Sequence, residues 1–235
     1  MIKLPINYLE IEEIYNSCIG KGMRSVAITS ANPGEGCSSL AYALSLRSEV
    51  DGKKTLLVEV NMLHPELGDI SGHLHTDWLP TPQSADGCIM RSDDANLDIL
   101  PAPCDTDVLR FRNIANMSKL MEHWLENYDA VIFDTSPVNA RNQNNISAES
   151  ICGMVDGAIM IVMAGVTRQT EFKAALDRLN QNDISLIGIV FNDYRNPRLA
   201  DEICRGTRLL DNWFPNLTHK IRCYIRKSPF LNIEI

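Results

Sequence analysis

Three observations predict an α/β chain with a doubly wound, mostly parallel sheet. Short apolar runs alternate with stretches of helical periodicity. The first of those runs leads through a glycine-rich turn straight into a helix. The later runs are nearly continuous in Val, Ile, Leu, Met and Phe, as in strands covered on both faces. The chain has 235 residues, 45% hydrophobic and 22% charged, which is enough for a large core without disulfides or structural metals.

In chain order, residues 7–20 place Ile11, Ile14, Tyr15, Cys18 and Ile19 on one helical face. Strands follow at 25–29 (SVAIT) and 55–60 (TLLVEV), with a helix at 38–50 between them. Residues 65–95, rich in Gly, Pro, His and Asp, read as loops with short helices. A strand is expected at 97–100, a largely helical stretch over 106–127, and core strands at 130–133 and 158–162. A helix at 168–181 and a last strand at 185–191 (SLIGIVF) complete the pattern. The periodicity weakens after Asn196-Pro197. The expected division is a domain over 1–197 and a C-terminal basic tail over 198–235, with a short amphipathic helix at 217–226 carrying Leu217, Ile221 and Ile225.

Charge and cysteine usage exclude several classes. Between Arg205 and Ser228 six basic residues face one acidic, a net +5, which leaves −13 on the rest of a chain of formal charge −8. An acidic body argues against nucleic acid as a partner, and the tail alone is suited to a membrane surface or an acidic partner. The longest apolar stretch, Gly157 to Val166, is half the length of a membrane span. The N-terminus has no secretory pattern. The chain is therefore expected in the cytoplasm, touching a membrane only through its tail or a partner. Seven cysteines without a CxxC pair read as reduced thiols. His64, His73 and His75, near Asp69, lack the spacing of a metal site and read as loop residues.

The chemistry concentrates in VAITSANPGEGCSSLAYALS, which reads strand, turn, helix. Glycines in such a turn let backbone N–H groups wrap phosphates, and the helix N-terminus favours anions. The register of a phosphate loop, GxxxxGK[ST], falls on Ala31, Asn32, Pro33, Gly34, Glu35, Gly36, Cys37 and Ser38, with Ser39 following. This predicts a three-layer P-loop NTPase fold. Ala31 replaces the first glycine and Cys37 the lysine that reaches the β- and γ-phosphates. Charge-assisted hydrogen bonds contribute roughly 1.5–3 kcal/mol each. Losing one or two weakens nucleotide binding by about tenfold to several hundredfold, and transition-state stabilisation by more. A plain Gly-Pro turn without a ligand is the competing reading of the loop taken alone. Cys37 heads a helix, where thiol pKa values tend to fall. A redox-sensitive thiol is thus weighed against an inert buried one, which is preferred.

Four segments together, TSANPGEGCSS (29–39), LLVEVNMLHP (56–65), YDAVIFDTSPV (128–138) and GIVFND (188–193), resemble the cytoplasmic domain of bacterial tyrosine kinases that accompany polysaccharide copolymerases. These belong to the deviant phosphate-loop ATPases that include the Min and Par partitioning proteins. The resemblance spans about residues 20–195 and implies the sites that follow. Pro33 to Ser39 would hold nucleotide phosphates, and Asn192 would touch the base. Ser38 and Asp134 would hold magnesium, Asp134 through water, and Glu59 and Asp134 are the catalytic candidates. Departures fall along the same path. The family's second motif reads like LLIDADLRRP; here Glu59 and Asn61 stand at its acidic positions, and Leu63 and His64 at its arginines. Amides in RNQNNIS (141–147) stand where a further carboxylate is expected. The helix at 7–20 has Glu10, Glu12 and Glu13 but no arginine of the ring-assembly motif ExxRxxR, and the tail has Tyr224 alone instead of a tyrosine cluster.

The expected function is therefore that of a degenerate tyrosine-kinase-like protein. It would be a regulatory or scaffold subunit beside a membrane copolymerase of chain-length determinant type, in exopolysaccharide or capsule biosynthesis and export. ATP or ADP with Mg²⁺ would bind weakly or not at all, and a homo-oligomer stays open. Alternatives are an active ATP-dependent tyrosine kinase or ATPase, in which Ser38, Ser39, Glu59 and Asp134 hold magnesium, and a nucleotide-binding switch without hydrolysis.

Overall fold

The computed structural model describes residues 3–68, 77–92, 97–103 and 108–194. The chain groups into two units: residues 1–162 with 167–192, and residues 163–166 with 193–235. Of the second, only 163–166 and 193–194 are described. The tail with its expected helix at 217–226, Tyr224, and the loop with Asp69, His73 and His75 lie outside the described residues.

Seven strands form one sheet in the order β3-β4-β2-β5-β1-β6-β7. They are β1 (Ser25–Ser30), β2 (Thr55–Glu59), β3 (Met90–Arg91), β4 (Asp98–Leu100), β5 (Ala130–Asp134), β6 (Gly157–Met163) and β7 (Leu186–Asn192). β5 lies at the centre between β2 and β1; β1 runs parallel to β5 and β6, and β2 parallel to β4 and β5. The short β3 is antiparallel to β4. This is the doubly wound α/β architecture that the strand–helix alternation predicts.

Alternate side chains of the central strands feed two separate cores. Leu56, Val58, Val131, Phe133, Ala158 and Met160 point to one face; Leu57, Ile132, Ile159 and Ile161 point to the other. Because both faces are covered, β1, β2, β5 and β6 are buried along their whole length. The second face is covered by α1 (Leu9–Ser17) and α2 (Cys37–Val50), through Ile11, Tyr15, Leu40 and Leu44. Glu12 of α1 forms an ion pair with Arg47 of α2, so one glutamate of the arginine-free helix is used within the fold.

The first face is covered by α5 (Ile114–Asn127), α6 (Ala148–Cys152) and α7 (Gln169–Gln181). Two shorter helices, α3 (Pro82–Asp86) and α4 (Val108–Phe111), lie before α5. The stretch expected to be largely helical over 106–127 holds α4 and α5, with a break between them at 112–113 and with 104–107 outside the described residues. Asn113 is extended, and its side chain accepts hydrogen bonds from the N–H groups of Ala115 and Asn116, capping α5 and ending α4 before it. β4 falls on the strand expected at 97–100, whereas β3 and the five-residue α6 have sequence signals too short to read as periodicity.

An aromatic stack anchors this face. Trp78 meets Phe111 edge-on at 4.9 Å between ring centroids and Trp124 at 6.4 Å, and Trp124 meets Phe133 of β5 at 6.2 Å. The Trp78 indole N–H donates to the Pro101 carbonyl at 2.9 Å. Trp78→Ala removes a fully buried indole and its hydrogen bond, so equilibrium urea unfolding should show a loss of about 3–5 kcal/mol.

Candidate functional site

In an open parallel sheet the loops at the carboxyl ends of the strands meet where the chain reverses its winding, and here that point is β1 between β5 and β6. The loop after β1, Ala31 to Gly36, opens α2. Gly34 (φ 78°) and Gly36 (φ 107°) occupy the left-handed region, which an L-side chain rarely adopts. A Cβ on Gly36 would also lie 2.7 Å from Nδ2 of Asn192. That nitrogen donates to the Glu35 carbonyl at 2.8 Å. The end of β7 is thereby tied to the loop, and Asn192, expected near a nucleotide base, here holds the loop backbone.

Pro33 and Gly34 are exposed, while Glu35, Cys37, Ser38 and Ser39 are buried. Glu35 turns its carboxylate inward. One oxygen accepts from the Thr167 hydroxyl and, at 3.4 Å, from Asn32; the other is buried without a partner. Asn32 also donates to Glu171 of α7 at 3.0 Å, so the loop is pinned by amides and carboxylates.

Glu59 ends β2 and Asp134 ends β5, in register on adjacent parallel strands. Both are fully buried. Glu59 is satisfied entirely by backbone. One oxygen accepts from Glu66 N–H at 2.5 Å and Leu67 N–H at 3.0 Å, the other from Ala102 N–H at 3.1 Å. It thus knots the loop after β2 to the loop after β4. Neither Asp134 oxygen has a hydrogen-bond partner. Burial first, and then the Glu59 carboxylate, push the Asp134 pKa well above the usual carboxylate range, with the Ser38 hydroxyl pulling the other way. Burial also raises Glu59, against its three backbone donors. Among the described residues, Glu35, Glu59 and Asp134 have no Lys or Arg partner.

Cys37 lies at the head of α2 beside these carboxylates. Burial first and Asp134 next push its thiol pKa well up, opposed by the Ser30 hydroxyl. The helix N-terminus does not win, so the lowered thiol that position alone suggests is corrected to a raised one. Cys37 is buried, as the preferred reading of it expects. Cys18, Cys37, Cys88 and Cys152 are all free thiols. No group of three metal-ligating side chains occurs among the described residues, and His64 is an exposed loop residue.

The structure also brings in residues without a motif. Ser136, just past β5, donates to Asn145 Oδ1 at 2.5 Å and lies 3.4 Å from Asn61 Oδ1. Asn61 holds its own loop by accepting from Leu63 N–H and donating to the His64 carbonyl. Asn145 belongs to the amide-rich stretch noticeable in sequence. Thr167 and Arg112 have no local signal, since each comes from a distant part of the chain, whereas Ser136 lies within YDAVIFDTSPV, two residues past Asp134.

This constellation can be set beside known proteins. The chain is 27% identical over 195 residues to tyrosine-protein kinase YwqD of Bacillus subtilis, covering 81% of each chain. It is 26% identical over 184 residues to tyrosine-protein kinase CpsD of Streptococcus agalactiae, covering 74% of this chain and 75% of that one. The chain is a relative of the bacterial tyrosine-protein kinases. Among solved structures, the chimerical protein CapA2B2 matches with TM-score 0.68 and 23% identity, over 77% of this chain and 82% of that one. The kinase domain of Escherichia coli tyrosine kinase ETK matches with TM-score 0.66 and 16% identity, over 80% and 73%. The cell division ATPase MinD of Pyrococcus furiosus matches with TM-score 0.59 and 18% identity, over 74% and 73%. The tyrosine-kinase relatives and this chain thus share a P-loop fold with MinD. No family model matches the chain.

In this tyrosine-kinase relative, Asp134 makes a pH-dependent contribution. A carboxyl with a raised folded-state pKa binds its proton more tightly folded than unfolded. Stability therefore falls as pH rises from the unfolded value, about 4, toward the folded one. Asp134→Asn should stabilise the protein at neutral pH, because the amide has no charge to hold out of water. Thermal melts across pH should show that gain vanishing below about pH 4, where both states are protonated.

Proposed function

We propose that this chain is a catalytically degenerate tyrosine-kinase-like P-loop protein, acting as a regulatory or scaffold subunit beside a membrane polysaccharide copolymerase in exopolysaccharide or capsule biosynthesis and export. The observation that carries the reading is the electrostatics of the cradle. Glu35, Glu59 and Asp134 converge on the phosphate loop, and the lysine position holds the neutral thiol of Cys37.

A nucleotide triphosphate brings several negative charges, and phosphoryl transfer adds charge that cations must stabilise. The free, buried oxygens of Asp134 beside Ser38 suit the oxygen preference of Mg²⁺. A polyphosphate is poorly matched to the same cradle, because among the described residues no Lys or Arg partners its carboxylates, and only the backbone N–H groups and the α2 N-terminus would meet the phosphate charge. The roles left to the chain's own residues are architectural. Gly34 and Gly36 shape the loop, Asn192 holds it, and Glu59 joins the loops after β2 and β4. The polysaccharide context and the copolymerase partner rest on the resemblance to the tyrosine-kinase group. No helix among the described residues is long and apolar enough to cross a membrane, which suits attachment through a partner.

The free oxygens of Asp134 favour one second reading, an active kinase or ATPase whose missing cation comes from a partner. Binding of ADP or ATP without turnover would instead mark a nucleotide switch. The test is ATP turnover and phosphotyrosine formation with Mg²⁺, with and without the membrane partner, comparing the native protein with Asp134→Ala. The expected result is background turnover in both, no phosphotyrosine, and polymer export restored by either form in a deletion strain. Turnover that disappears in Asp134→Ala contradicts the proposal.

A further inference from the structure

The segment after β5 carries Asn145 into the site although it has almost no regular structure of its own. Residues 136–147 run from the end of β5 to the cap of α6 with turns but no strand or helix. Such a segment needs an external hold to keep one shape, because ordering each residue costs about 1–2 kcal/mol. The hold comes from Arg112, in the turn between α4 and α5. Its Nε donates to the Asn145 carbonyl at 3.0 Å, and an Nη donates to the carbonyls of Asn142 (3.0 Å), Gln143 (3.0 Å) and Asn145 (2.7 Å). The planar guanidinium fork suits several fixed acceptors in a way a lysine ammonium does not.

The consequence reaches the site through one residue. With its carbonyl gripped by Arg112, Asn145 is buried. Its Nδ2 donates to the Ala140 carbonyl at 3.2 Å, closing the segment on itself. Its Oδ1 accepts the Ser136 hydroxyl at 2.5 Å, two residues beyond Asp134. We propose that Arg112 is a positioning residue for the candidate site. Its guanidinium, gripped by the carbonyls of Asn142, Gln143 and Asn145, fixes the 140–145 segment so that Asn145 reaches Ser136 and gives this wall of the site its shape without a bound ligand. The inference concerns how the wall is held and stands whether or not the protein turns over ATP.

Hydrogen exchange on the full chain tests it, without nucleotide, comparing native protein, Arg112→Ala, Arg112→Lys and Asn145→Ala. Losing several hydrogen bonds from a charged donor should speed exchange in residues 136–147 about tenfold or more in Arg112→Ala, with β1 and β6 unchanged. Methylguanidinium at millimolar concentration should restore slow exchange in Arg112→Ala, and Arg112→Lys should restore it only in part. A bulk packing role would show no such rescue. If Arg112→Ala does not fold, Asn145→Ala decides, with faster exchange expected at 136–141 alone. Unchanged exchange in 136–147 in either variant, or no rescue of Arg112→Ala by methylguanidinium, overturns the proposal.

Discussion

Asp134 ends the central strand β5 with both oxygens buried and unbonded, one strand away from the equally buried Glu59. Two carboxylates this close, out of water and without a cation, cannot both be ionised cheaply. The surroundings divide the burden unequally. Glu59 receives three backbone N–H groups, which favour its charged form, while Asp134 receives none and is driven toward its neutral form. The rest of this end of the sheet follows from that division. A thiol stands at Cys37, amides stand at Asn61 and Asn145, and hydroxyls fill the remaining space at Ser38 and Ser136.

A phosphate loop normally balances buried charge with its ligand. Here the loop is balanced from within. Glu35 turns back to Thr167 and Asn32, Asn192 holds the Glu35 carbonyl, and Glu171 of α7 holds Asn32. Each contact comes from a different strand end or helix start. The loop is thereby tied to the end of β7 and the start of α7.

The fold was legible because strand burial is written into runs such as VIFD and AIMIV, and because the glycine-rich turn sits between a strand and a helix. The break between α4 and α5 was not legible. It depends on the Asn113 side chain capping two N–H groups, and asparagine is common enough inside helical stretches to give no warning. Within the site, the loop, Glu59, Asp134 and Asn192 could be placed from motif order. Their partners could not. One of the backbone N–H groups that reach Glu59 comes from Ala102, 43 residues along the chain, and Arg112 and Thr167 come to the site only through tertiary packing. The direction of the Cys37 pKa was likewise hidden. Helix position suggests a decrease, and burial beside two carboxylates reverses it.

Calorimetric titration of the native protein and Cys37→Lys with ATP and ADP in Mg²⁺ tests the central claim most directly, because it restores a cation at the phosphate-loop lysine position. The account predicts no heat of binding for the native protein at millimolar nucleotide and measurable binding for Cys37→Lys. Micromolar binding by the native protein would contradict it, showing that the cradle accepts polyphosphate despite its carboxylates.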